Sequence, residues 1–460
     1  MTTAPHINDR LAQLAVDLDG PLVRPNDPEW DAARQAWHLS VDQRPVAVAL
    51  AQSSRDVALV VTAARELGLR VAPQSTGHNA GPLGALDGTI LLKTSQMRGV
   101  DIDPDARIAR AEAGAQWMDV VPAAAKHGLA ALAGSAPDVG VAGYTLGGGL
   151  SWLARSHGLA SNSVVGLEVV TADGQLRTVC ADRDPDLFWA LRGGGGSFAV
   201  VTALEFRLYP IEDVHAGVLF FPIHRADEVL QAWREWLPSV PESVTSVGRL
   251  LRFPPLPDLP PHLSGQAYVV IEAACQLSDE DAARLLAPLR ALGPTLDTFC
   301  RMPVTELATL HMDPDGPVPG YGDGMLLEQL PAEAVTSFAE LAAADLPLLS
   351  IELRHLGGAV AAGRAAGGAV DGIDAEFALF AVGITPDEEA MRAVRSSVDA
   401  VQHTMASWST GGCYLNFAER RKAGRALFGE ATYARLQEVK ATYDPSDVIR
   451  SNHPVAPAAG

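Results

Sequence analysis

Cysteine is scarce in this chain of 460 residues: the four present, Cys180, Cys275, Cys300 and Cys413, lie far apart. They form no CxxC pair and no metal-ligand spacing with histidine, so neither a disulfide framework nor a metal site is expected. Basic residues are also short in supply, 35 against 55 acidic, for a formal net charge of −20. Such a field repels phosphodiester backbones and anionic lipid, which argues against nucleic acid or a membrane as partner. Long apolar runs are missing, and the opening MTTAPHINDRLAQLAVDLDG has no basic segment followed by an apolar core. A soluble, cytoplasmic protein is expected, with monomer and homodimer both open.

Apolar residues are plentiful, 48% of the chain, enough to build the cores of two or three domains. From Arg44 the pattern reads as a βαβ unit: PVAVALA as a buried strand, Ser53 or Ser54 as N-cap, a periodic helix through Leu67 stopped by Gly68, then LRVAP as a second strand. Short β-like runs follow, then an amphipathic helix from Gln116 to about His127. The segment VVGLEVVTADGQLRTVC carries a hairpin signal at Asp173 and Gly174, and VVTALEFRLYP reads as the closing strand. This order suggests an α+β domain rather than a regular doubly wound sheet.

Beyond Pro210 strand-like AGVLFFP, AYVVIEAAC, LLSIELRHL and EFALFAVGI alternate with helical stretches at 226–237, 279–292, 332–343 and 386–406. A second domain over 211–410 is expected, with an antiparallel sheet covered on one face by helices. FPPLPDLPPH and AVAAGRAAGG read as loops within it.

Three glycine clusters stand out: QSTGHNAGPLG, VGVAGYTLGGGL and RGGGGSF. Glycine lets backbone amides approach a ligand, so each can cradle a pyrophosphate. No GK[ST] follows any of them, and none is a GxGxxG inside a βαβ unit. Taken singly, each is a turn.

Taken in order, STGHNAG, SAPDVGVAGYTLGGGLSWLARSHGLASNSVVGLEVVTADG, DPDLFWALRGGGGSFAVVTALEFRL, CYLNF and FGEATYARLQEVKATYDPSDVIRSN resemble the berberine bridge enzyme-like branch of FAD-linked oxidoreductases. The similarity runs from about Arg44 to Pro210 and from Gly411 to Asn452. It implies a PCMH-type, two-lobed fold of the vanillyl-alcohol oxidase superfamily. An FAD-binding domain would cover 1–210 (core about 44–210), and a substrate domain 211–410. A C-terminal segment over 411–460 would return to the FAD lobe. The resemblance also implies FAD bonded through its 8α carbon to His78. A second, cysteinyl attachment is missing because Ala136 stands before Pro137, which implies the monocovalent bacterial type.

The cofactor contacts carried over are Gln74, Ser75, Thr76, Gly77 and Asn79 around His78. In the second cluster they are Gly134, Ala136, Val139, Gly140, Gly143, Gly147, Gly148 and Gly149, followed by Gly158, Leu159, Val169 and Asn416. Small residues around His78 would let amides face the pyrophosphate while a neutral, nucleophilic imidazole reaches the flavin methyl. Val139 matches the gatekeeper position, where a small aliphatic residue accompanies reaction with dioxygen. The sequence departs from the family pattern at His157, Asn162, Ser163, Asp447 and Ile449.

Oxidation at carbon needs a base within hydrogen-bond reach of the substrate O–H or N–H. Tyr414 matches the family's YxN motif, and Tyr144 stands where a hydroxyl can face the flavin carbonyl. Glu352 is the second candidate base, because strand alternation puts Glu352 and Arg354 on one face and Ile351, Leu353 and His355 on the other. Trp152 is read as an aromatic substrate wall, Trp117 and Trp189 as core.

The resulting expectation is an FAD oxidase that takes a hydride from an alcohol, phenol or amine carbon of a small-molecule secondary metabolite onto flavin N5, uses O2 as acceptor and releases H2O2. An oxygenase or oxidative cyclase on the same scaffold is the alternative, and a flavin-fold protein that only binds ligand is a third reading.

Overall fold

The computed structural model describes residues 4–257, 259–314, 316–363 and 367–458. Asp258 and residues 364–366, within the two expected loops, lie outside the described residues.

The first lobe holds two sheets. Strands β1 (Leu22–Val23), β2 (Ala47–Leu50), β3 (Arg70–Gln74) and β4 (Thr89–Lys93) lie in the order β1-β2-β4-β3, with β2, β4 and β3 parallel. The helix Ser54–Leu67 links β2 to β3. Ser53 caps it by accepting from the Asp56 amide, Gly68 ends it in the left-handed region, and Val57, Val60, Val61, Ala64 and Leu67 are buried. Each such fully buried Val or Leu contributes about 1.5–3 kcal/mol, so together they far outweigh the cap's ~1 kcal/mol.

The second sheet is antiparallel in the order β5-β6-β9-β7-β8, from β5 (Val100–Asp103), β6 (Ile108–Glu112), β7 (Val164–Val170), β8 (Leu176–Val179) and β9 (Val200–Arg207). The β7–β8 hairpin turns at Asp173 and Gly174, as read from the sequence. The helix Trp117–Ala125 packs Trp117, Val120 and Ala124 into the core of this half, with Gln116 as its N-cap. Trp117 is core, as expected, but Trp189 is only half-buried and lies under the Arg435 guanidinium at 3.8 Å.

The second lobe is built on an eight-stranded antiparallel sheet: β10 (Asp213–Pro222), β11 (Val244–Arg252), β12 (Ala267–Cys275), β13 (Leu296–Asp297), β14 (Cys300–Pro303), β15 (Gly320–Leu327), β16 (Ser350–His355) and β17 (Phe377–Ile384). Its main order is β13-β10-β12-β11-β16-β17-β15, with β14 also paired to β10. One face carries Leu219, Leu250, Ile271, Ile351 and Leu379 against the helices Ala226–Trp236, Asp279–Arg290, Ala332–Glu340 and Glu388–Met405. The other face brings Val218, Val247, Val270 and Ala274 against Ala130, Leu132, Trp152 and Leu153 of the first lobe. It is therefore the uncovered face of the sheet that meets the first lobe.

Two strands of this sheet, the central β11 and the edge strand β15, carry glycines that mask their β pattern. A Cβ on Gly248 would stand 2.9 Å from the Trp233 ring, and one on Gly324 would stand 2.8 Å from Phe417 Cβ. The glycines admit aromatic side chains close to the sheet rather than break it.

After the second lobe the chain returns to the first. The Val71 amide donates to Val448 O (2.7 Å) and the Arg450 amide to Val71 O (2.8 Å), so the tail runs parallel to β3. Lys440, fully buried, donates to Ser197 O and Ile449 O at 2.8 Å and to Asp444 at 2.6 Å. The departures at Ile449 and Asp447 are accommodated here, Ile449 beside Val71 and Asp447 paired with Arg70 at 3.2 Å.

Candidate active site

The loop after β3 begins at Gln74, where parallel pairing with Lys93 ends, and carries His78 to the junction with the Ser135–Gly140 segment. The His78 imidazole stacks on Trp37, with ring centroids 4.0 Å apart and planes inclined by 17°. The Thr76 hydroxyl lies 2.7 Å from His78 Nδ1. On the other side Asp138 Oδ1 lies 3.3 Å from Nε2 but is not aligned as a hydrogen bond, while Asp138 Oδ2 accepts from the Trp37 indole. Burial would raise the Asp138 pKa, yet the nearby His78 imidazole and the hydrogen bond from Trp37 hold it below the ordinary carboxylate value. An ionised carboxylate, an aromatic wall and a hydroxyl thus fix one imidazole, with Nε2 left unbonded.

Around this loop the protein leaves buried polar atoms unpaired, which native interiors seldom do. They include both amide atoms of Gln74, Ser75 Oγ, Asn79 Oδ1, Tyr144 OH, Thr145 Oγ1 and Asn162 Nδ2. Each costs about 1–3 kcal/mol unless a ligand meets it. This mixture of donors and acceptors matches the carbonyls, ring nitrogens, hydroxyls and phosphates of a dinucleotide such as FAD. The second glycine run adds close approach. Gly140 precedes the short helix Val141–Leu146 and touches Ser75, since a Cβ there would stand 2.6 Å from Ser75 Oγ. Gly149, at φ +83°, leaves room for the Tyr144 ring, 2.5 Å from where its Cβ would be. Among the described residues, nothing outside its own helix backbone and chain neighbours lies within 4 Å of a Cβ on Gly143.

Tyr414 and Asn416 reach this run from the returning segment. The Tyr414 hydroxyl accepts from the Gly149 amide (2.7 Å) and from Asn416 Nδ2 (3.1 Å), and Asn416 Nδ2 also donates to Tyr144 O (2.9 Å). Burial pushes both tyrosine hydroxyls above their ordinary pKa, Tyr414 despite its two donors. A buried phenol that already accepts two hydrogen bonds keeps its proton at neutral pH. Its remaining capacity is to donate, which weighs against Tyr414 as the base.

Opposite lies a charged array on the uncovered face of the second sheet. Glu352 Oε2 is 2.6 Å from His311 Nε2 and Oε1 accepts from Arg354 Nε at 2.7 Å. His311 Nδ1 is 2.6 Å from Glu272 Oε2, and Glu272 Oε1 accepts from Arg249 at 3.1 Å. Arg249 is held by Ser350 Oγ at 2.6 Å and His311 O at 2.7 Å. Burial would raise the Glu352 pKa, but Arg354 and His311 hold it well below the usual carboxylate range. The Arg354 guanidinium lies 5.1 Å from the Phe417 ring, which in turn meets Tyr414 at 5.2 Å. Trp152 contacts His311 edge-on at 6.0 Å. Ser135 in the first lobe donates to Asp313 at 3.0 Å, joining the lobes beside the array.

The structure therefore brings together His78, the Gln74–Asn79 loop, Gly134, Ala136, Tyr144, the Gly147–Gly149 turn, Trp152, Tyr414, Asn416 and Glu352 along one inter-lobe junction. Gly134, Ala136 and Trp152 line a crevice closed from the second lobe by Val304, Leu307 and Ala308. Trp152 is buried, with its indole N–H unpaired. Val139 is half-buried and accepts from the Trp117 amide through its carbonyl at 3.1 Å. Leu159 and Val169 are packed inside apolar clusters, and Gly158 ends a short turn with φ +83°. The departures near Gly158 have structural partners: His157 with Gln276, Asn162 Oδ1 with the Leu159 amide, and Ser163 with Tyr209.

Sequence reasoning missed His311, Glu272, Arg249 and Trp37. Glu272 had a signal, being the one charge inside the apolar run AYVVIEAAC, and such a residue demands a buried partner. His311 and Trp37 sit in loops without periodicity, where no local pattern marks them.

A family model described as an FAD binding domain matches residues 45–179, and one described as berberine and berberine like matches residues 413–456. The chain is 30% identical over 459 residues to the uncharacterized FAD-linked oxidoreductase YgaK of Bacillus subtilis (strain 168), covering 96% of this chain and 97% of that one. It is 30% identical over 478 residues to (R)-6-hydroxynicotine oxidase of Paenarthrobacter nicotinovorans, covering 96% and 98%. The crystal structure of 6-hydroxy-D-nicotine oxidase from Arthrobacter nicotinovorans superposes with a TM-score of 0.81 at 25% identity, over 96% of this chain and 98% of that one.

Proposed function

The chain belongs to the berberine bridge enzyme-like family of FAD-linked oxidoreductases, and from that premise we propose that it is a monocovalent oxidase of a small organic substrate, with flavin attached at His78 and dioxygen as electron acceptor. The observation that carries the reading is His78 itself: an imidazole clamped by Trp37 and Asp138, its Nε2 unbonded, set among buried polar atoms without partners.

FAD when bound supplies a two-electron acceptor whose reduced form passes electrons to O2, giving H2O2. The protein's own part is placement and proton transfer. Gln74, Ser75, Asn79, Thr145 and Asn162 supply unmet donors and acceptors for the cofactor. Tyr144, whose hydroxyl is unpaired, and Tyr414, which keeps its proton, act as neutral donors. Glu352 remains ionised and serves as proton acceptor for the substrate O–H or N–H. Its low proton affinity limits it to protons that become acidic during the reaction. As hydride leaves the carbon, the attached O–H becomes that of a protonated carbonyl, far more acidic than any carboxylic acid, so a weak base suffices. The crevice beside Trp152, apolar apart from Ser151, excludes water from the reacting carbon.

The test is a screen of hydroxylated and amine metabolites for peroxide release, with turnover in labelled dioxygen. Label confined to peroxide supports the oxidase, and label in the organic product replaces it with an oxygenase. Reduced enzyme that stays reduced in air removes the oxidase reading altogether.

A further inference from the structure

One cluster of titratable groups exceeds what the proposed reaction needs. Proton acceptance requires one carboxylate, yet Glu352 belongs to a closed array with His311, Glu272, Arg249 and Arg354, in which the five side chains are buried or nearly so. We propose that His311 is a positioning residue: an imidazolium spanning Glu272 and Glu352 that keeps Glu352 ionised and fixes it, with Arg354, on the sheet face toward the cofactor lobe. This rests on the oxidase reading of the same site.

The argument begins with proton counting. A neutral imidazole has one donor and one acceptor nitrogen, whereas here each ring nitrogen lies 2.6 Å from a carboxylate oxygen. Two such contacts need two protons, one between each nitrogen and its oxygen. The second proton has to reside on the ring or on a glutamate. Both glutamates have a guanidinium as their other partner, Arg354 for Glu352 and Arg249 for Glu272, which favours their ionised forms. The proton therefore resides on the ring.

The charges around His311 favour the imidazolium on balance. Glu272 faces it from β12, Glu352 and Arg354 from β16, Arg249 from β11 and Asp313 from its own loop, while Trp152 is the uncharged neighbour from the first lobe. Burial and Arg249 would lower the His311 pKa, and Glu272, Glu352 and Asp313 outweigh them, raising it to about 9. Arg354 Nη2, 3.2 Å from His311 Nε2, opposes the proton, since a guanidinium can only donate. Three carboxylates against two guanidinium groups leave room for one more positive charge, and the imidazolium supplies it.

The consequence for Glu352 has a definite sign. Removing the imidazolium leaves a fully buried carboxylate with Arg354 alone, so its pKa rises toward the range in which it is protonated. A protonated Glu352 accepts nothing from substrate.

The direct test is 15N NMR of the full-length holoenzyme labelled at histidine, with His311→Gln used to assign the resonance. Two protonated ring nitrogens at pH 7, persisting until about pH 9, are expected. A neutral ring at pH 7, with one bare nitrogen, overturns the proposal. This readout needs no substrate and no turnover, so it stands apart from failure of the oxidase reading, which shows as reduced flavin stable in air. With a compound that releases peroxide, the wild type should keep its rate of flavin reduction on acidification, whereas His311→Gln should lose at least tenfold on the acid side. Identical acid limbs in the two proteins overturn the role in positioning. If His311→Gln does not fold, His311→Asn assigns the resonance instead, and if no compound turns over, the assigned wild-type NMR titration decides.

Discussion

The two walls of the inter-lobe junction handle their polar groups in opposite ways. On the first-lobe wall Gln74, Ser75, Asn79, Tyr144, Thr145 and Asn162 hold buried atoms with no partner. On the second-lobe wall Arg249, Glu272, His311, Glu352 and Arg354 satisfy one another with contacts of 2.6 to 3.1 Å. An unpaired buried atom is an unfavourable cost that a ligand removes on binding, so the first wall is built for a large resident cofactor. A closed ion-pair array demands nothing from a ligand, so on the proposed function the second wall would hold a few groups still while substrates come and go. The difference separates binding from positioning within one site.

The largest effect that breaks this comparison is at His78. His78→Ala should yield protein whose yellow colour is lost entirely to the supernatant on acid precipitation, and colour retained in the pellet would place the attachment elsewhere. Next, Glu352→Gln keeps the shape of the array but removes the proton acceptor. Flavin reduction by substrate should fall about 10²–10⁴-fold, read by anaerobic stopped flow, with substrate affinity little changed.

Within the second wall, Glu272→Ala strips a buried partner from Arg249 and His311 and should destabilise the protein by about 3–5 kcal/mol in chemical denaturation. A pH effect belongs to the same wall. The His311 pKa is raised from 6.5 to about 9, so its contribution is fully present below pH 6.5 and is lost as pH rises through 9. That contribution is roughly 3 kcal/mol, and the stability difference between wild type and His311→Gln should shrink across that window. The smallest effect is expected on the first wall. Thr145→Val removes an unpaired hydroxyl, so the stability of flavin-free protein should change by less than about 1 kcal/mol or improve. A loss as large as that of Glu272→Ala would show that the two walls are not different in kind.

The first wall was largely legible in the sequence, because its glycine runs and the His78 loop are contiguous and the chemistry of close approach is written locally. The second wall was not. Glu352 and Arg354 were found from alternation along one strand, but Arg249 faces Glu352 only through the β11–β16 register. His311 joins from a loop 39 residues beyond Glu272 in sequence. Strands β11 and β15 were missed for a related reason: their glycines serve aromatic rings from elsewhere in the fold, Trp233 and Phe417. Pairing across elements is set by tertiary packing, and one strand's pattern does not contain it. Trp37, which stacks on His78, shows the same limit on the first wall.

The central claim is a single covalent flavin on the unpaired wall, and peptide mass analysis of the proteolysed holoenzyme tests it most directly. The account predicts FAD mass on the peptide containing His78 and on no other peptide. An unmodified His78 peptide from yellow, air-reoxidisable protein, or flavin on a second peptide, would contradict it.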